Sequence, residues 1–322
     1  MAESRYARAK AILKLNITLL LILALLLAAC HAVTVPSPTP RAASPTLKVM
    51  AVETFLTDMA QNVAGNRLTV SALLPYGVDP HSYEPTPGDV AEVADSDALI
   101  VNGAGLETFL DKLLQSAGGK RKIIEAAAGL TSRETREGEL VDDKHHEGDP
   151  HFWLDPNNVI KYVENIRDGL SQVDPIGAMA YAANAEAYIA QLRELDAWIA
   201  GQVKQVPENR RLLVTNHESL GYFADRYGLR IIGTIVPSVS TGASPSAQQL
   251  ARLVDRIKET GVSAIFLETG TNPQLAQQVA KETGIKVVTG LYTHSTTEPG
   301  GPAPTYIEMM KYNTRAIVDA LK

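Results

Sequence analysis

Cysteine is almost missing: the 322 residues include one, Cys30, so no internal disulfide can form. A basic excess is also missing. Thirty Lys and Arg face thirty-six Asp and Glu, a formal charge of −6. Arg5, Arg8, Lys10 and Lys14 against Glu3 sit in the first 29 residues, so the rest of the chain is more acidic still. An acidic body argues against nucleic acid and suits cation capture. The apolar run Ile17–Leu27 falls short of the roughly 20 residues a spanning helix needs. No Gly-x-Ser-x-Gly elbow, Walker loop, internal repeat or added binding module occurs. Gly103-Ala104-Gly105 lacks the rest of a dinucleotide fingerprint and reads as a turn.

What is present begins with an export signal over residues 1–29: basic residues, an apolar stretch, then small residues. Leu27-Ala28-Ala29-Cys30 resembles a bacterial lipobox, in which the cysteine becomes the first mature residue and carries lipid on its thiol. Residues 30–46, rich in Pro, Ser and Thr without hydrophobic period, read as a tether holding the folded part off the membrane.

Beyond the tether, short β-branched runs alternate with helical stretches, the mark of parallel sheets with crossover helices. Strands are expected at 47–52, 67–73, 98–102 and 122–125, and again at 211–215, 230–235, 264–268 and 286–289. Between the sets, Asp174-Pro175 reads as cap and first residue of one helix running to about Val206, with Met179, Ala183, Ala187, Ala190, Leu192, Leu195, Ile199 and Val203 at helical spacing. The fold class is therefore α/β, with two lobes that are each a four-stranded parallel sheet with flanking helices, joined by one long linking helix. The divisions are an N-terminal lobe at 47–173, the helix at 174–206 and a C-terminal lobe at 207–322.

Four of seven histidines share a position type. His81 follows the second strand, His151 precedes a helix near Asn157, His217 follows the first strand of the second lobe and His294 its last. Ligands of open α/β sheets bind at the carboxyl ends of strands. Singly, each such histidine is ordinary; convergence of several is hard to explain as packing, and neutral imidazole is a common zinc ligand. Binding should weaken steeply as pH falls through about 6.5 if all four must lose protons. Glu268, ending a strand at the presumed cleft, is a candidate outer partner for a ligand histidine. Asp155 reads as a helix cap.

Longer motifs carry a family resemblance. LLPYGVDPHSYEPTPGDV (73–90), IVNGAGLE (100–107), DPHFWLDP (149–156), TNHESLGYFADRYGL (215–229) and TYIEMMKYN (305–313) resemble the zinc and manganese solute-binding proteins of ABC importers, from about residue 47 to the end. The resemblance implies a metal held between two lobes by His81, His151 and His217, delivery to a membrane permease, and action outside the cytoplasm as a lipid-anchored monomer. Zinc members usually have histidine at the third position where manganese members have a carboxylate. At the fourth, LYTHSTTEPG (291–300) departs from the pattern, placing His294 where relatives have aspartate. Either His294 coordinates or water completes the shell.

An imidazole set favours zinc, copper or nickel over manganese, and the expected cargo is zinc. His145 and His146 form a weak version of the histidine-rich loop of zinc members, or simply a solvated loop. Two other functions compete. A secreted zinc hydrolase would need HExxH, but Gly221 stands where His217-Glu218 requires the second histidine. A surface adhesin has no module to support it.

Overall fold

The computed structural model describes residues 47–133 and 148–322. Cys30, the tether, His145 and His146 lie outside the described residues.

Strands β1 (Val49–Ala51), β2 (Val70–Ala72), β3 (Ala98–Val101) and β4 (Lys122–Glu125) pair in the order β2-β1-β3-β4, all parallel. The second lobe repeats this with β5 (Leu212–Thr215), β6 (Arg230–Thr234), β7 (Ala264–Glu268) and β8 (Lys286–Leu291) in the order β6-β5-β7-β8. The central strands β1, β3, β5 and β7 are buried along their whole length. Helices cover both faces of such a sheet, which is why these strands read as unbroken apolar runs instead of alternating ones. The crossovers in the first lobe are α1 (Thr54–Ala64), α2 (Pro87–Ala94) and α3 (Leu110–Ala117). Thr86 and Asp89 close a capping box at the start of α2.

Next come α4 (Pro156–Val173) and α5 (Ala178–Val203). Asp155 caps α4 by accepting the Asn157 N–H at 2.8 Å, as the sequence indicates. The long helix differs from expectation at its start. A 3-10 turn, Pro175–Gly177, precedes it, and no side chain caps it. Asp174 is engaged elsewhere, by the Arg67 guanidinium and the Tyr181 hydroxyl. The buried stripe of α5 is Tyr181, Ala185, Tyr188, Leu192, Leu195, Ile199 and Val203, while Met179 is 88% exposed. Alanine suits either face of a helix, so the alanine row misplaced the first half of that stripe. The second lobe adds α6 (Gly221–Tyr227), α7 (Ala247–Thr260), α8 (Gln274–Thr283) and α9 (Tyr306–Leu321).

One hydrophobic cluster runs through both lobes, including Phe55, Trp153, Leu220, Tyr306 and Met309. Trp153 stacks on Phe55 at 4.5 Å and donates Nε1–H to the Thr293 carbonyl at 2.7 Å. The Thr54 hydroxyl lies 3.1 Å from that of Ser295 and accepts the Thr296 N–H at 2.9 Å. Asp58 accepts the Tyr306 N–H at 2.9 Å. The chain after β8 is thereby stapled to the first lobe, fixing how its loop meets the loops opposite. Among the described residues no helix is long and apolar enough to cross a membrane.

Candidate metal centre

Two copies of Asp-Pro-His shape the first lobe's contribution. In each, the aspartate accepts the backbone N–H of the histidine two residues on, Asp79 from His81 at 3.0 Å and Asp149 from His151 at 2.9 Å. This Asx turn reverses the chain and aims the ring inward. His217 leaves β5 in a tight turn in which the Thr215 hydroxyl donates to the His217 carbonyl at 2.8 Å. His294 follows β8, three residues beyond Leu291. His151 and His217 are fully buried, and His81 and His294 are each 8% exposed.

The four rings meet at their Nε2 atoms. His151 Nε2 lies 3.2 Å from His81 Nε2, 3.2 Å from His217 Nε2 and 3.3 Å from His294 Nε2. All four candidate ligand atoms fall within 4.8 Å of one another. Neutral imidazoles whose lone pairs face a common centre repel one another unless a cation sits there. A zinc tetrahedron with bonds of about 2.0–2.1 Å has nitrogen–nitrogen edges of about 3.3–3.4 Å. The three separations around His151 match that edge, so the donor set fits a tetrahedral ion with modest adjustment elsewhere. The structure brings His81, His151, His217 and His294 together.

The opposite ring edges face acids. His151 Nδ1 is 2.8 Å from Asp149 Oδ1. Glu268 serves two rings: its Oε1 lies 2.8 Å from His217 Nδ1, and its Oε2 lies 3.6 Å from His294 Nδ1. The His217 contact is an ion-pair distance with the ring N–H off the hydrogen-bond line. The Ser219 hydroxyl donates to Glu268 Oε1 at 2.8 Å. A proton held on Nδ1 by a carboxylate leaves Nε2 as the free donor atom. Sequence reasoning singled out Glu268 and missed Asp149. The repetition of Asp-Pro-His was the available signal.

Charge is unevenly spread. Burial, reinforced by His217, pushes His81 down to about 4 and His151 well below its ordinary value. Burial does the same to His294 against the pull of Glu268. Burial also opposes charge on His217, yet Glu268, Asp79 and Asp149 outweigh it and raise its proton affinity. Burial works against ionisation of Glu268, but His217, His294 and Ser219 hold the carboxyl down at about 2. Burial lifts Asp149 to about 7. His81, His151 and His294 thus favour the neutral form without metal, whereas His217 favours its proton. On these directions the loss of affinity with falling pH should be shallower than a four-proton loss.

Residues 49–320 match the family described as ZnuA, zinc-uptake complex component A, periplasmic. The chain belongs to this family. It is 36% identical over 275 residues to the manganese-binding lipoprotein MntA of Halalkalibacterium halodurans, covering 85% of this chain and 88% of that one. It is 32% identical over 270 residues to the iron-binding protein YfeA of Yersinia pestis, covering 84% and 85%. Among solved structures, the Mn-bound periplasmic metal binding protein of Candidatus Liberibacter asiaticus superposes with a TM-score of 0.76 at 29% identity, covering 86% of this chain and all of that one. The periplasmic zinc binding protein TroA of Treponema pallidum gives 0.76 at 27% identity, covering 85% and 99%. This member of the ZnuA family is a metal-capturing, substrate-binding component of an ABC transporter and not an enzyme, and the hydrolase alternative falls with that. The adhesin alternative gains no support.

Proposed function

We propose that the chain captures zinc outside the cytoplasm through His81, His151, His217 and His294, with Glu268 and Asp149 holding the rings, and passes it as a monomer to a cognate permease. The observation that carries this reading is the convergence of four Nε2 atoms with no carboxylate oxygen among them. Nitrogen donors suit zinc, copper and nickel, whereas manganese favours oxygen. Kinship alone does not choose the metal, since similar proteins are named for manganese, iron and zinc. Four neutral imidazoles leave the ion's charge uncompensated, and the Glu268 carboxylate behind two of them supplies an anion without entering the coordination sphere.

The division into a lobe at 47–173, a linking segment at 174–206 and a lobe at 207–322 serves this capture by placing the ion between two sheets' carboxyl ends. Relatives named as lipoproteins support anchoring through Cys30 and the 30–46 tether. Cys30→Ser should move the protein from the membrane to the soluble fraction; unchanged membrane association would refute the anchor. The metal is tested by elemental analysis of protein purified without a chelating tag, then competition among zinc, manganese, copper and nickel. Zinc should co-purify and outcompete manganese, and a preference for manganese would overturn the proposal.

A further inference from the structure

Two carboxyl groups in the first lobe have no part in the capture chemistry described above. Glu53 lies between β1 and α1, and Glu107 closes the turn that follows β3. They are 1% and 6% exposed. Glu107 is well supplied with donors: Oε1 accepts the Asn102 N–H at 2.5 Å and Oε2 the Gly103 N–H at 3.0 Å. Glu53 is not. Both its oxygens are buried, and neither accepts a hydrogen bond from any donor among the described residues. The two groups nevertheless lie within hydrogen-bonding reach of each other. Two carboxylates so placed, Glu53 fully enclosed and Glu107 at the wall of a cavity, repel, and burial disfavours both being ionised. A carboxylic acid and a carboxylate form a strong bond.

We propose that Glu53 is a neutral carboxylic acid donating its proton to the Glu107 carboxylate, and that this pair positions the turn beneath His151 and beside His81. The turn is demanding: Gly103, Ala104 and Gly105 all have positive φ, 80°, 52° and 82°, and Ala104 takes a conformation that L side chains rarely adopt. Glu107 holds its first two N–H groups. Asn102 Nδ2 donates to the Pro150 carbonyl at 3.2 Å, and the Tyr162 hydroxyl donates to Asn102 Oδ1. Pro150 immediately precedes His151. The same turn, with Pro150 and His81, lines a cavity of about 490 Å3. Losing the shared proton would set two buried anions against each other at the root of this network.

Among the described residues the two carboxyls act on each other and on the Tyr162 phenol of α4, whose proton is held on by burial and by both glutamates; Glu125 of β4 lies against Gly103, and His81 and Asp111 share a cavity with Glu107. Burial, then Glu107, raises Glu53 well above the ordinary carboxyl range. Burial raises Glu107 to about 7 against the backbone N–H groups that pull it down. The proton itself is independent of the metal; its bearing on capture rests on His151 and His81 being ligands.

The test uses metal-free protein, so failure of the zinc reading leaves it intact. Infrared spectra at about pH 8, above the values of about 6 for Asp58 and about 7 for Asp149, should show the carbonyl stretch of a protonated carboxylic acid. That band should vanish in Glu53→Gln. Glu53→Gln should melt within about 2 °C of wild type near neutral pH, because its amide N–H also donates to Glu107, whereas Glu53→Ala should melt lower. A proton bound more tightly in the folded state stabilises below the unfolded value and stops doing so as pH rises through the folded one. Wild type should therefore lose stability progressively as pH rises above the ordinary glutamate value of about 4.3, and Glu53→Gln should lose less. No band in wild type, a band that survives in Glu53→Gln, or a Glu53→Gln protein that is as unstable as Glu53→Ala or does not fold would each overturn the proposal.

Discussion

The two lobes share one strand order but bring different things to the cluster. The first contributes His81 and His151, imidazoles that burial strips of charge, and an acid, Asp149, that burial lifts to about 7. The second contributes His217, which favours its proton, His294, an imidazole that burial also strips of charge, and Glu268, ionised down to about 2 and facing two rings. Strand geometry differs in parallel. Pairing in the first sheet is continuous, while the second shifts register between Leu213 and Val214 and between Phe266 and Glu268. The second shift lies at the strand end that carries Glu268. The first lobe supplies two neutral donors; the second adds one more, His294, and also the negative charge that makes an all-imidazole site acceptable to a dication.

The largest effect should come from removing a donor on either side. His151→Ala and His217→Ala should each weaken zinc binding by more than the roughly 10–100-fold typical of an outer partner. They should differ in protons. His217 favours its proton in the metal-free cluster and zinc must displace it, so affinity should fall as pH drops, approaching about tenfold per pH unit in the acid range. His151→Ala should keep that slope and His217→Ala should lose it, read by calorimetry in buffers of different ionisation heat. Equal slopes would erase the contrast between the lobes.

Next come the outer acids. Glu268→Gln should cost roughly 10–100-fold in zinc affinity, and Asp149→Asn should sit at or below the lower end, because Glu268 serves two rings and carries full charge. The reverse order would place the compensating charge in the first lobe.

The smallest effect belongs to His294. His294→Asp should retain most of the zinc affinity while improving the relative standing of manganese, since oxygen replaces nitrogen in the shell. An unchanged preference among metals would make His294 a bystander.

Much of this arrangement is legible in the chain. Central strands buried on both faces leave unbroken apolar runs, and β7 falls on its expected residues, 264–268. The four histidines stand out because strand ends are where such sheets bind ligands. What escapes is set by distant contacts. Asp174 looks like a helix cap until Arg67 claims it. The buried face of α5 is set by its packing against α1, α4 and α9, which local spacing cannot reveal. Asp149 acts through a ring two residues away, and the twofold occurrence of Asp-Pro-His is its only trace in the chain.

X-ray absorption on the zinc-loaded protein tests the central claim most directly. The account predicts about four nitrogen neighbours at about 2.0–2.1 Å with the multiple-scattering pattern of imidazoles, reduced by one in His294→Ala. A shell dominated by oxygen, or one with fewer than four imidazoles in the wild type, would contradict it.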